Sequence, residues 1–384
     1  MKILVVGGGS GGHVTPVVAV ASEILKKQAN AKLVFWTDSK YYKNAKEAVA
    51  SKGLQMPVKR LCSGKLRRYT NFGFWDYIQH FGMVLSNIFD GFKLIIGVLQ
   101  SFFRLLFSRP NVIFLKGGYV CLPVGIAAKW LKIPYVIHDS DAAPGLTNRI
   151  LARHAVKIAT GMPLDFYKYP EGRAVWTGIP ISSDFVPVSK TEQNKLKEEL
   201  GFDSSKKLVV VTGGSLGARH INEAVVKILP ELLKESCVAL ISGQTDYETL
   251  KKENSELLEN KNFQLLSFTN EIVKFFGAAD VVVSRAGAST LSELASMEKA
   301  VVLVPNHKLP GFHQVKNAEN YEKSRAAMLV SDAEEGVDEK KLLAAINSLL
   351  GDEKKRAEYS KNLGKFAKND AAKQLAEIVL AEAK

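Results

Sequence analysis

Two stretches carry residue types able to do transfer chemistry. The first is GGGSGGHVTP, residues 7–16. Gly7, Gly9 and Gly12 fit the spacing G-x-G-x-x-G, in which glycines let a ligand approach the backbone at a helix start. Amides exposed there attract anions and hydroxyls. His13 follows at the head of the expected helix. An imidazole there serves as a base near neutral pH, the alternative being a structural cap or a hydrogen-bonded spacer. Asp38 stands where an NAD site carries its acid, about 20 residues on. An NAD reading explains neither His13 nor a second glycine loop further along.

The second stretch is SRAGASTLSELA, residues 284–295. A strand runs into the turn Ala286-Gly287-Ala288, and a helix opens at Ser289-Thr290. Hydroxyls and amides at a helix start suit a diphosphate. Glu293, one turn in, is placed to accept both hydroxyls of a ribose; the alternative is a capping-box glutamate paired with Ser289. Ser215, in the glycine loop 213–217, is available to the same anion. Asp139-x-Asp141 resembles the acidic pair that binds a metal in some sugar transferases. Helix starts aimed at a diphosphate stabilise a leaving group without one, so no metal is expected.

These residues need a parallel sheet behind them. Lys2 to Val6, Leu33 to Thr37, Val112 to Phe114 and Tyr135 to Ile137 read as short buried strands, with helices at Val14 to Lys27 and through Ala127 to Trp130. The pattern breaks in GIPISSDFVPVSKTEQN and restarts at Leu208 to Thr212, followed by GGSLG and a helix from about Ile221. Strands are expected near Val238 to Ile241, Phe263 to Leu266, Val281 to Val283 and Ala300 to Val304. Two strand–glycine-loop–helix openings, one per half, predict an α/β protein of two facing Rossmann-like domains. The expected division is 1–180, a linker at 181–206, 207–362, and a C-terminal helix at 363–384 that packs back on the first domain.

The net charge of +13, from 52 Lys and Arg against 39 Asp and Glu, favours anionic partners. Three scattered cysteines exclude a disulfide framework and a zinc knuckle. Residues 72–107 are rich in aromatic and aliphatic side chains, but Asp76, Asp90, Lys93 and Arg104 interrupt the run and argue against a membrane span. Flanking Lys59, Arg60, Lys65, Arg67, Arg68 and Arg109 fit a helix dipping into a lipid interface, with Phe72, Phe74 and Trp75 in contact. Helices packed on the sheet are the plainer alternative.

Taken in order, GGGSGGHVTP, GGYVCLP, HDSDAAPGLTNRILAR, GGSLGARHIN, SRAGASTLSELA and HQVKNA resemble the MurG family of GT-B glycosyltransferases over residues 1 to about 320. The resemblance implies an inverting transfer of N-acetylglucosamine from UDP-GlcNAc to the 4-hydroxyl of lipid I, forming lipid II at the cytoplasmic face of the cell membrane. It implies no cofactor and no nucleic acid, and an anionic membrane surface as partner. By that resemblance Ser10, Gly11 and Gly12 lie at the donor sugar and acceptor, with His13 as base. Thr269 holds uracil by its backbone. Ala288, Ser289, Thr290, Leu291, Ser292 and Glu293 carry diphosphate and ribose, Gln314 the sugar, and Ser215 matches the family serine.

Three positions depart from the family. Its H-E-Q-N is His138-Asp139-Ser140-Asp141 here, so the sugar-contacting Asn is Asp141. Its arginine after G-N-P-V is Ser182, leaving Lys116, Arg219 or Arg285 to compensate, and the glutamine of GGSQGA is Leu216. The rival readings are a GT-B enzyme glycosylating another lipid, such as diacylglycerol, and a non-catalytic membrane-associated protein of the same fold.

Overall fold

A computed structural model describes residues 1–9, 11–65, 81–214, 217–309 and 312–383. Ser10, Phe72, Phe74, Trp75, Ser215 and Leu216 lie outside the described residues. The chain divides into two compact units, 1–182 with 368–384, and 183–367.

The first unit runs β1 (Lys2–Val6), α1 (Gly11–Lys27), β2 (Lys32–Thr37), α2 (Tyr42–Ser51), β3 (Val58–Arg60), α3 (Phe81–Ser108), β4 (Val112–Leu115), α4 (Cys121–Trp130), β5 (Tyr135–Asp139), α5 (Leu146–Leu151), β6 (Lys157–Thr160) and β7 (Ala174–Trp176). Its strands form one parallel sheet in the order β3-β2-β1-β4-β5-β6-β7. Every residue of β4 and β5 is buried, as expected where helices cover both faces. The helix α1 begins at Gly11, three residues before the expected Val14. Its buried Val14, Val17, Val18, Ala21 and Ile24 recur at helical spacing and face the sheet.

Helix α3 is a single helix of 28 residues. Asp90, Val98, Ser101 and Leu105 form its buried stripe. The backbone N–H of Cys62 donates to Gln100 at 2.8 Å, and Arg104 donates to the Arg60 carbonyl at 2.8 Å. The opposite face exposes Phe89, Phe92, Ile95, Ile96, Leu99, Phe103 and Phe107. By length and composition, residues 85–108 are apolar enough to cross a membrane, with mean hydropathy 1.4.

The second unit begins inside the expected linker. Helix α6 (Lys190–Glu199) is capped by Ser189, whose Oγ accepts from the Glu192 amide. Its buried Lys197 donates to Asp280 at 2.6 Å and to the Lys206 carbonyl at 2.7 Å, pinning the segment to the sheet base. Then follow β8 (Lys207–Thr212), α7 (Arg219–Glu235), β9 (Ser236–Ile241), α8 (Gln244–Glu253), α9 (Ser255–Leu258), β10 (Phe263–Leu266), α10 (Ile272–Ala278), β11 (Val281–Ser284), α11 (Ala288–Ser296), β12 (Ala300–Leu303), α12 (His313–Lys323) and β13 (Met328–Leu329). The parallel order is β10-β9-β8-β11-β12-β13. A small hairpin, β14 (Asp332–Ala333) with β15 (Gly336–Val337), and helices α13 (Glu339–Gly351) and α14 (Glu353–Gly364) complete the unit.

The apolar residues of 363–384 do not lie on one helix. Helix α14 ends at Gly364, and α15 (Ala371–Ala381) belongs to the first unit. There Leu375, Ala376 and Val379 are fully buried in the core that holds α1. Lys368 stacks 4.1 Å above the Trp176 ring, and Lys27 pairs with Glu377 at 2.8 Å.

Candidate functional site

The strand order of each unit reverses at one point, between β1 and β4 in the first and between β8 and β11 in the second. Ligands of open α/β sheets bind outside the strand ends at such points. Register brings the loops together. Val6 pairs with Leu115, and the Lys116 amide donates to the Val6 carbonyl at 2.9 Å, so the loops 7–13 and 116–119 emerge side by side. Thr212 pairs with Ser284, so the chain leaves β8 at Gly213 and β11 at Arg285 side by side.

At the first switch point, His13 sits in the first turn of α1. Its Nδ1 lies 2.8 Å from the Gly8 carbonyl oxygen. A carbonyl only accepts, so Nδ1 carries the proton and the basic lone pair belongs to Nε2. Burial, with the Lys116 ammonium adding to it, holds the imidazole down to about 4. Gly118 has φ +78°, and a Cβ there would stand 3.0 Å from His13 Nδ1, so only glycine lets the loop pass this close. Asp38 is consumed by the loop itself. Its Oδ2 accepts from the Gly9 amide at 2.7 Å, and Oδ1 accepts from the Lys40 and Tyr41 amides at 2.9 and 3.1 Å. That use removes the carboxylate an NAD ribose would need.

Behind His13 lies a compact charged cluster. Lys116 is 1% exposed and donates to Ser140 Oγ at 2.5 Å. Burial brings its ammonium down to about 8, against the pull of Asp139 and Asp141. Burial lifts the Asp139 carboxyl to about 7, although Tyr169 donates to it at 2.7 Å and Asn148 also hydrogen-bonds it. Tyr167 stacks on Tyr169 with centroids 5.5 Å apart. His138 Nε2 donates to the Gly178 carbonyl, 2.8 Å away, and burial holds the imidazole well below the usual histidine range. Asp141 and Ser182 are half-buried in loops on the same unit.

At the second switch point, α11 has Gly287 as its N-cap with no side-chain cap, and the Leu291 amide closes the first helical bond to the Gly287 carbonyl. The amides of Ala288, Ser289 and Thr290 are therefore the orphan donors of a helix start. Glu293 is six residues past the cap, out of reach of a capping box, which needs its glutamate at the third position. Burial alone raises its carboxyl to about 7. Ser289, Thr290 and Ser292 are half-buried; the Leu291 side chain is fully buried in the core and offers only backbone.

Two predicted residues are occupied by local bonds. Gln314 Oε1 accepts from the Asn306 amide at 2.9 Å, and Thr269 Oγ1 accepts from the Glu271 amide at 2.9 Å. Of the cations offered in place of the family arginine, Arg285 donates to Asp332 at 2.6 Å and to the Val304 carbonyl at 3.0 Å. Arg219 is exposed beside Glu223 and Asp246, and Lys116 is spent on the buried cluster. Sequence reasoning missed the structural roles of Asp38 and Tyr169 and the centrality of Lys116. The one available signal was a lysine ending an otherwise apolar strand, FLKGG. Among the described residues no three His, Cys, Asp or Glu side chains group to hold a metal ion.

The family model described as the glycosyltransferase family 28 N-terminal domain matches residues 3–160, and that of the C-terminal domain matches residues 208–375. A curated relative from Listeria welshimeri is 32% identical, covering 99% of both chains, and one from Caldanaerobacter subterraneus is 33% identical, also covering 99% of both. Both are named UDP-N-acetylglucosamine--N-acetylmuramyl-(pentapeptide) pyrophosphoryl-undecaprenol N-acetylglucosamine transferase. Among solved structures, Acinetobacter baumannii MurG superimposes with TM-score 0.75 at 22% identity over 99% of each chain. A UDP-GlcNAc 2-epimerase from Neisseria meningitidis bound to UDP-GlcNAc superimposes with TM-score 0.66 at 12% identity, over 99% of this chain and all of that one.

Proposed function

The chain belongs to glycosyltransferase family 28, and from that premise we propose that it transfers N-acetylglucosamine from UDP-GlcNAc to the 4-hydroxyl of undecaprenyl-diphosphoryl-N-acetylmuramoyl-peptide, lipid I, forming lipid II in peptidoglycan synthesis. The acceptor oxygen attacks the anomeric carbon as the bond from that carbon to the UDP oxygen breaks, which inverts the sugar. The acceptor proton passes to His13 Nε2, and UDP departs with the electron pair. Orphan amides at the start of α11 stabilise the departing diphosphate, and Glu293 takes the ribose hydroxyls. The observation that carries this chemistry is the His13–Gly8 contact, which fixes the tautomer so that the basic nitrogen of the neutral imidazole is Nε2.

Residues 1–180 then serve the acceptor and the membrane, and 207–362 the nucleotide sugar. Ser10, Gly11, Gly12 and Asp141 line the acceptor and sugar side. Ser215, Thr269, Ala288 to Glu293 and Gln314 serve the donor, with Ser182 at the end of the first unit. The exposed apolar face of α3, with Lys93 and Arg104 on the same helix and Arg60 bonded to it, favours apposition to an anionic membrane on its cytoplasmic side. Asp90, Ser101 and Leu105 tie that helix to its own domain, which supports lying on a bilayer rather than crossing it.

UDP release is measured with UDP-GlcNAc and either lipid I or diacylglycerol. Turnover with lipid I alone is the expected result; turnover with diacylglycerol alone overturns the acceptor assignment, and turnover with neither leaves only the non-catalytic reading. Replacing Phe89, Phe92 and Phe103 by serine is expected to abolish sedimentation with anionic liposomes, since each buried aromatic contributes about 1.5–3 kcal/mol.

A further inference from the structure

Lys116 is a charged side chain in a place where burial without partners is costly. It follows directly on β4, only 1% of it is exposed, and its ammonium is anchored on Ser140 Oγ. The loop it begins touches His13 directly, through Gly118. The groups facing it come from every neighbouring element: His13 from α1, Cys121 from α4, His138 and Asp139 from β5, and Asp141 from the loop after β5. The groups facing His13 are Lys116, Asp141, His138 and the Gly8 carbonyl. One cation thus stands among two aspartates and two imidazoles.

We propose that Lys116 is a positioning residue for the transfer: its anchored ammonium balances Asp139 and Asp141 and adds to burial in keeping His13 neutral, so that Nε2 can take the acceptor proton. Without Lys116, Asp141 would act on His13 with no cation opposing it, and the imidazole would keep its proton to higher pH. An imidazole that already carries that proton cannot act as base. The geometry supports this role, because Ser140 holds the ammonium at the loop after β5. The inference rests on the reading of His13 as base, and burial and charge at Lys116 push the imidazole the same way, downward.

The test is a ring-nitrogen NMR titration of His13 in the full chain, assigned with His13→Gln, in the unaltered protein, Lys116→Met, Lys116→Arg and the double variant Lys116→Met with Asp141→Asn. The expected result is a His13 titration midpoint raised by about one pH unit or more in Lys116→Met. Lys116→Arg stays at the original midpoint, and the double variant returns toward it. The acid limb of kcat/KM for transfer to lipid I moves by the same amount, so Lys116→Met loses more turnover at pH 6 than at pH 8.5. Lys116→Gln, which keeps a hydrogen bond to Ser140, replaces Lys116→Met if that variant does not fold. An unmoved midpoint overturns the proposal, and so does a failure of both neutral variants to fold, which would make Lys116 a folding residue. Because the titration needs no turnover, absence of transfer to lipid I would refute the function and leave the titration readable.

Discussion

The two units place a strand, a glycine turn and a helix start at the same point of the same strand order, and they fill it in opposite ways. In the first, every charge has company. Asp139 reaches about 7 by burial while taking hydrogen bonds from Tyr169 and Asn148, with Lys116 nearby. In the second, Glu293 reaches about 7 by burial alone. The same shift therefore means different things. A carboxylate embedded in donors belongs to a finished network that holds a base steady. A carboxylate raised with no compensating donor among the described residues gains most from hydroxyls that a ligand brings. The contrast fits the proposal that the first switch point handles the proton and the second the nucleotide.

The largest expected effect tests that division directly. His13→Ala is expected to lower kcat for transfer by about 10²–10⁴-fold, while calorimetry finds UDP-GlcNAc affinity unchanged. Loss of UDP binding in that variant would erase the distinction between the two sites. Glu293→Ala should do the reverse, weakening UDP-GlcNAc binding by about 10–100-fold, the equivalent of a charged hydrogen bond of about 1.5–3 kcal/mol. Donor affinity should also fall as pH drops below about 7, where the carboxyl takes a proton and ceases to accept from both hydroxyls. Asp38→Asn sharpens the first side. An amide cannot accept from Gly9, Lys40 and Tyr41 together, and urea unfolding should show about 1–2 kcal/mol of lost stability with donor binding intact.

The smallest effect concerns stability at the second site. The Glu293 carboxyl is raised from its ordinary 4.5 to about 7, so the folded chain binds that proton more tightly than the unfolded one. Its contribution is fully present below pH 4.5 and is lost as pH rises through about 7. Glu293→Gln removes the loss. Thermal melts should show Tm raised by about 2–4 °C at pH 8 and little changed at pH 4.5. An equal rise at both values would mean that Glu293 already has partners.

Much of this was readable in the chain. KILVV followed by glycine gives β1 because apolar β-branched runs need burial on both faces, and its helix follows from Val14, Val17, Val18, Ala21 and Ile24. The adjacency of the loops after β8 and β11 was less visible, since it depends on those two strands lying side by side although β9 and β10 intervene in sequence. Asp38 misled because an acid at that spacing looks the same whether it holds a ribose or its own loop. Lys116 was offered only as a stand-in for the family arginine, because its partners at and just after β5 lie more than twenty residues on. The break between α14 and α15 was hidden by apolar residues that continue at helical spacing on both sides of it, although Asn369-Asp370 marks it.

Helix α15 closes a different account. It buries Leu375, Ala376 and Val379 in a core whose other members leave the ribosome first. Synthesis runs from the N-terminus, so α1 emerges with an apolar face that α15 cannot cover until the intervening second unit has been translated. The unit that begins first is completed last, and a nascent chain lacking 368–384 carries an uncovered binding face. Emergence of α15 is then the moment at which the first unit becomes able to assume its final form.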